Sequence, residues 1–547
     1  MEKILGHIVD IENESIFPGS LTIRDGLIVK VARVNSREVP DRYILPGFVD
    51  SHIHIESSML LPSHFAAATV PHGTIAVICD PHEIANVCGK SGVYYMINNG
   101  LTVPLKFFNG APSSVPATNF ETSGACINSQ DVLELLSNDQ IWFLSEVMNY
   151  PGVINGDPEI DKKIASAKKL NKVIDGHAPG LSGKDLDYYI SCGISTDHEC
   201  STYIEAKEKI MKGMKILIRD GSAAKNFKNL YPLISQFPDD VMLCTDDSHP
   251  DEILSNGHID RIIRLGLSYG VDIFKLLKAA IINPIKHYKL PIGLLKEGDL
   301  ADFIIVDSLK DLNVLSTFID GSEAYNSEEG YKFSLSPQVA INNFCAKKVT
   351  HEDFLLKVPD YATYAQVINV KDGELITDIF NWDIREYRNN YLNGDLKQDI
   401  IKLVVYNRYS HSTPSIGFVK NIGLKDGAIG GTVAHDSHNI VVAGTDDQYI
   451  VELINNIVDN KGGIGIKCSE GLKILPLPVA GLMSLESVNE VALLYTEIDS
   501  LAKKSGSQLS APFMTLSFLS LLVIPSLKLS DKGLFCSDNF QFESIFK

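Results

Sequence analysis

With 547 residues the chain is too long for one hydrophobic core and is expected to divide into two or three domains. Its 45% hydrophobic and 21% charged residues are the balance of an ordinary soluble globular protein, with no low-complexity tract or repeat. A formal net charge of −19 disfavours nucleic-acid backbones and anionic membranes as partners, which leaves a small molecule as the expected ligand.

In chain order, MEKILGHIVDIENESIFPGS lacks a basic region followed by an apolar run, so no signal peptide is expected. Residues 1–45 read as short strands and turns, with Arg24-Asp25-Gly26 as a tight-turn signal. YILPGFVDSHIHIE then reads as a strand. From residue 46 to 287 short apolar runs (GTIAVICD, LKFFNG, IWFLSEVM, KVIDGHA, GISTDHE, MKILIRDG, DVMLCTDD) alternate with helical stretches such as EIANVCGKSGVYYMINNG and STYIEAKEKIMKGM. That alternation predicts a (β/α)8 barrel in an α/β fold class. Residues 288–349, opening PIGLLKEGDLADFIIVDSL, return to strands and are expected to complete a small β-sandwich begun by the N-terminus. Residues 350–547 carry their own strands (IKLVVYNRY, HNIVVAGT, GGIGIKC) and helices and are read as a C-terminal α/β domain. The apolar run PFMTLSFLSLLVIPSL is broken by Pro525 and is shorter than a membrane span of about 20 residues, so it is read as core. The nine cysteines are widely spaced with no CxxC pair, which fits reduced thiols in a cytoplasm.

The chemistry begins at His52 and His54. Side chains two apart on a strand share a face, so both imidazoles can address one metal, and Asp50 and Glu56 fall on that face too. Glu146, His177, His198 and Asp246 each stand where a predicted strand gives way to a loop, and in a barrel those ends converge. Histidines and carboxylates without thiolate suit manganese, iron or zinc. Six candidate ligands exceed the need of one tetrahedral ion, so two are expected, with Glu146 as the bridge. Asp246 is the expected proton acceptor, although Asp246-Asp247 also reads as a helix N-cap. In DPHEIANV, Asp80 and Pro81 signal a helix start, so His82 and Glu83 are either part of a plain cap or a substrate-facing acid and proton shuttle. His435, Asp436 and His438 cluster within VAHDSHN as a solvated turn, an extra metal site or a lid.

Several strings carry a resemblance: PGFVDSHIHIESSML, CDPHEIANV, FETSGA, EVMNYPGVI, DGHAPGLSG, STDHECS, IRDGSAAKN, CTDDSHP, GHID, GTVAHDSHNIVVAGTDD and LPLPVAGLMS. In this order they resemble the bacterial adenine deaminases of the amidohydrolase superfamily. The resemblance implies a two-metal site held by His52, His54, Glu146, His177, His198 and Asp246. Glu146 would stand where many superfamily members use a modified lysine. It further implies manganese first, with iron or zinc as alternatives, and hydrolysis of adenine to hypoxanthine and ammonia by a metal-bridged hydroxide in purine salvage. Glu83 or His82 would assist at a ring nitrogen, and Ser182, Arg219 and Asp247 are candidate substrate contacts. A homo-oligomer, taken as a dimer, is also implied. The departures are Cys79 in the second string and Ser248 where arginine often stands; neither touches a proposed ligand. A cyclic amidase of the hydantoinase or dihydroorotase type is the alternative, and Glu146 in place of a bridging lysine argues against it.

Overall fold

In the computed structural model, residues 2–222, 224–388 and 390–547 are described, and they form two units. The first comprises residues 1–81, 94–113 and 128–337; the second comprises 82–93, 114–127 and 338–547.

Strands β1 (Glu2–Asp10), β2 (Ser15–Arg24) and β3 (Leu27–Arg33) form an antiparallel meander, and β4 (Tyr43–Pro46) pairs parallel with β1. The chain then passes directly into the barrel. Gly47 is required at this crossing, because a Cβ there would lie 2.3 Å from the Ile75 side chain.

Eight parallel strands follow: β5 (Phe48–Ile53), β6 (Thr74–Cys79), β7 (Lys106–Ala111), β8 (Ile141–Val147), β9 (Val173–Gly176), β10 (Thr196–Asp197), β11 (Lys215–Arg219) and β12 (Val241–Cys244). β5 to β9 pair in order, as do β10 to β12. The Ser195 amide donates to the Ile174 carbonyl at 3.0 Å and joins β9 to β10. A parallel bridge between Ile53 and Asp246 joins the run after β12 back to β5 and closes the barrel. Every residue of β5 and β6 is buried, as expected where helices cover a parallel sheet. The covering helices are amphipathic and capped. Asn128 makes a capping box on Ser129–Leu136, and Asp157 caps Pro158–Lys169, whose last turn holds Lys168 and Lys169 against the helix dipole.

After the barrel, β13 (Phe303–Val306), β14 (Val314–Ile319), β15 (Ser322–Asn326) and β16 (Gly330–Tyr331) complete a continuous sheet in the order β16-β15-β14-β13-β4-β1-β2-β3. Ile4, Ile8, Leu21, Ile23 and Ile28 share a core with Phe303, Ile305 and Phe318, so both flanks of the barrel sequence build one small β domain.

The second unit is organised on an eight-stranded sheet of β17 (Tyr364–Asn369), β18 (Asp378–Asp383), β19 (Ile400–Tyr406), β20 (Ser415–Lys420), β21 (Ala428–Gly431), β22 (Ile440–Gly444), β23 (Gly463–Cys468) and β24 (Gly471–Pro476). Helix Asp447–Asp459 buries Ile450, Leu453, Ile454 and Ile457 against Val404, Ala428 and Val442 of that sheet. The stretch EIANVCGKSGVYYMINNG, read from sequence as one helix, is two: the chain turns at Gly89 with φ 60°, separating His82–Cys88 from Lys90–Gly100. His82–Val93 and Ser114–Ile127, which the sequence leaves within the barrel, group with the second unit. No described helix is long and apolar enough to cross a membrane.

Lys528 is fully buried in the second unit and donates to the carbonyls of Leu375 (2.8 Å) and Phe518 (3.1 Å). Burial pushes its pKa down to about 7. An unfolded lysine titrates near 10.4. Between those values the native state binds fewer protons than the unfolded state, so stability rises with pH across that window; the cost is fully present below it. Lys528→Met is expected to flatten this rise, which amounts to at most ~1.4 kcal/mol per pH unit. Urea unfolding of both proteins at neutral and alkaline pH measures it, and equal slopes would contradict the buried neutral amine.

Candidate active site

β5 brings Asp50 and His52 to the barrel interior and stops at Ile53. His54 keeps an extended backbone (φ −100°, ψ 99°), so its ring stays on the face of His52. Glu56 does not share that strand face, since Ile55–Ser58 turns into a 3-10 helix. Asp50 lies below the imidazoles. It accepts from the Thr245 amide at 3.1 Å and the Thr245 hydroxyl at 2.5 Å, with His258 Nε2 3.1 Å away, and so locks β5 to the end of β12. The next residue, Asp246, takes the left-handed conformation with φ 61°. Its amide donates to the His52 carbonyl (3.0 Å) and its own carbonyl accepts from the His54 amide (3.1 Å). This turn is what Asp246-Asp247 supplies. The N-cap position of helix Pro250–Asn256 falls to His249, so the cap reading of Asp246-Asp247 is corrected.

The six candidate ligands come together and all are buried. Asp246 Oδ1 lies 3.5 Å from His52 Nε2 and 3.2 Å from His54 Nε2. Glu146 divides its oxygens. Oε1 is 3.4 Å from His54 Nε2, while Oε2 is 2.7 Å from His177 Nδ1 and 3.2 Å from His198 Nε2. The His52 and His198 rings stack with centroids 4.1 Å apart. His54 Nδ1 sits 3.1 Å from the Asp80 carbonyl oxygen, which can only accept. Nδ1 therefore carries a proton, which leaves Nε2 as the nitrogen directed at the cluster and the one a cation would take, the usual outer-shell orientation of a metal-ligating histidine.

Two residues not singled out as ligands complete the charge pattern. Arg219 forks onto Glu199 (Nη1–Oε1 2.5 Å, Nη2–Oε2 2.9 Å) and places Nη1 2.6 Å from Asp246 Oδ2. Glu199 Oε1 lies 3.6 Å from His177 Nδ1 and 3.4 Å from His198 Nε2. Arg219 thus faces carboxylates, where the sequence suggested a substrate contact. Burial raises the Asp246 carboxyl, but Arg219 and the histidines outweigh it and hold Asp246 well below the usual carboxylate range, hence ionised. Burial depresses His54 and His198, and the neighbouring carboxylates reverse this and lift both well above the ordinary histidine value. Three buried carboxylates (Glu146, Glu199, Asp246) face one guanidinium, so the balance of charge falls to protons on the histidines or to a bound cation in their place.

The supporting shell is equally buried. Tyr189 accepts from the His177 amide (3.1 Å) and donates to the Val147 carbonyl (2.9 Å), tying the β8 and β9 ends together. Asp197 accepts from the Ala178 and Glu199 amides, each at 3.2 Å. Lys209 donates to Asp197 (2.5 Å) and to the Ala178 carbonyl (2.7 Å). One pair therefore anchors the loops of His177, His198 and Glu199. Lys209→Met strands the Asp197 charge and is expected to cost about 3–5 kcal/mol of stability, read by urea denaturation; a change under 1 kcal/mol would contradict the anchoring role.

Ser182 is exposed at the N-cap position of helix Gly183–Ser191 and is not gathered into the cluster. Asp247 is half-buried and accepts from the Ser57 hydroxyl. His82 and Glu83 belong to the second unit, where Glu83 Oε1 receives His435 Nδ1 at 2.6 Å and Oε2 receives His438 Nε2. His435, Asp436 and His438 are buried, so the solvated-turn reading of VAHDSHN is corrected. Glu199 was missed although it follows His198 directly; its signal is an ion pair with Arg219, twenty positions on, which appears only when β10 and β11 lie side by side.

Residues 43–324 match the amidohydrolase family, and residues 374–541 match the adenine deaminase C-terminal domain. Across its whole length the chain is similar to proteins named adenine deaminase. It is 51% identical to that of Methanosarcina acetivorans, with 100% of each chain covered. It is 48% identical to that of a Sulfurovum species and 47% to that of Borreliella afzelii, with 99% of each covered in both cases.

Proposed function

The chain belongs to the amidohydrolase family and within it to the adenine deaminases, and from that premise we propose that the cluster around Glu146 hydrolyses adenine to hypoxanthine and ammonia, a reaction of purine salvage. The observation that carries the site assignment is the division of the Glu146 carboxylate, with one oxygen toward His54 and the other toward His177 and His198.

The donor set fits two divalent cations. His52, His54 and Asp246 would hold one, His177 and His198 the other, and Glu146 would serve both. Imidazole and carboxylate donors without thiolate suit manganese, iron or zinc, and the resemblance to the adenine deaminases puts manganese first. When bound, the cations supply Lewis acidity that makes water a nucleophile at neutral pH.

The chain's own residues do the rest. Arg219 fixes Asp246 Oδ2, so Oδ1 alone is directed at His52 and His54. Asp246 takes the proton of the attacking water and returns it to the exocyclic amine as the C6–N bond breaks; ammonia leaves and the water oxygen stays on C6. The Glu199–Arg219 pair keeps Asp246 ionised between turnovers and His177 and His198 oriented. The same reading carries a cytoplasmic enzyme, with the nine free cysteines as reduced thiols, and a homodimer that light scattering would detect.

The test is direct. Purified protein is expected to release one ammonia and one hypoxanthine per adenine, to lose this on thorough chelation, and to regain it with Mn2+. Turnover that survives metal removal, or opening of a cyclic amide in place of ammonia release, would overturn the reading.

A further inference from the structure

We propose that the second unit holds a divalent-cation site, with His82, Glu83, His435 and Asp436 as ligands and His438 as the residue that orients Glu83. The proposal is independent of the adenine reading. It assigns His82 and Glu83 a ligand role in place of a proton shuttle.

Helix His82–Cys88 presents His82 and Glu83 in its first turn, and the loop between β21 and β22 presents His435, Asp436 and His438. All five are at most 4% exposed. His82 Nε2 lies 3.6 Å from Glu83 Oε1 and 4.0 Å from Asp436 Oδ1. His435 Nδ1 lies 2.6 Å from Glu83 Oε1 and 4.0 Å from Asp436 Oδ1. Ligand atoms at about 2.1 Å from a tetrahedral cation stand about 3.4 Å apart; the ligand atoms of His82, Glu83 and Asp436 all lie within 4.8 Å of one another, and the 2.6 Å His435–Glu83 contact is a hydrogen bond that a cation would have to open for His435 to join them. Two imidazoles and two carboxylates without thiolate are the donors of zinc, manganese or ferrous iron. A divalent charge also balances the two carboxylates with both imidazoles neutral, which removes the desolvation problem of burying them together.

The outer shell has the expected form. The Ala434 amide donates to His438 Nδ1 at 3.2 Å, so the His438 proton lies on Nε2 and is given to Glu83 Oε2. This fixes the carboxylate and leaves Oε1 toward the other ligands, as second-shell partners of metal sites do. His438 takes the left-handed conformation (φ 54°), which turns its ring back toward Ala434. Phe518 stacks on His435 at 4.8 Å and 15° and holds the plane of that ring.

The experiment uses the full chain, stripped with chelator and reloaded with Mn2+ alone. Metal analysis is expected to give three equivalents per chain, falling to two in Asp436→Asn and Glu83→Gln. A His52→Asn/His54→Asn variant is expected to keep the equivalent that Asp436→Asn loses, which separates failure of this site from failure of the barrel site. Anomalous diffraction from wild-type crystals, which needs no variant to fold, is expected to show a peak among His82, Glu83, His435 and Asp436. Two equivalents in the wild type with no peak there, or an unchanged count in Asp436→Asn, would reduce the cluster to a hydrogen-bonded core and overturn the proposal.

Discussion

Asp246→Asn is expected to lower kcat for adenine by on the order of 10³-fold, with KM little changed and the metal content of the barrel site retained. The amide keeps an oxygen for the position now held by Oδ1, 3.2 Å from His54 Nε2, so a cation loses little at that corner. It cannot accept a proton, and that function is absent in the transition state alone. Its NH2 replaces Oδ2, so the hydrogen bond from Arg219 Nη1 is lost, but Arg219 keeps its fork on Glu199 and is not left unpaired. Steady-state kinetics with metal analysis measure the outcome. A fall in kcat of less than tenfold would show that another group handles the proton.

Glu146→Gln is the more drastic change. A carboxamide has one oxygen, and its NH2 must then face either His54 or the His177–His198 pair, where Glu146 now offers an acceptor on each side. One cation loses a ligand and meets a donor hydrogen. The expected result is loss of at least one metal equivalent and activity below one part in ~10³, about 4 kcal/mol of transition-state stabilisation. A variant that kept two equivalents in the barrel would show that Glu146 serves one ion and not both.

The barrel half of the molecule was readable because its signals are local. The two-residue period of β5 put His52 and His54 on one face, and each later ligand stands at or just beyond a strand end, as Glu146 on β8 and His198 after β10. Glu56 was misplaced because nothing in HIHIESS marks the switch from strand to 3-10 turn after Ile53. The partners of Arg219 in the fold are carboxylates just beyond the adjacent strands β10 and β12, and such pairs depend on lateral register rather than spacing. Glu83 was harder still. Its partner His435 lies 352 positions away, and no pattern around DPHEIANV marks it for the second unit.

The excursions of the chain have a consequence for biogenesis. It passes from one unit to the other at 81/82, 93/94, 113/114, 127/128 and 337/338. Helix His82–Cys88 therefore leaves the ribosome long before the sheet to which its unit belongs is made. Ile84 and Val87 are buried in the folded protein, and their unit is unfinished until its sheet, which still lacks β22 before residue 444, has been made. Cutting the gene at residue 337 would not yield a free-standing barrel, because two internal segments would be deprived of the core their unit builds later. Folding here is committed late, and a stalled or truncated chain is expected to be captured by chaperones or to aggregate rather than to survive as an active fragment.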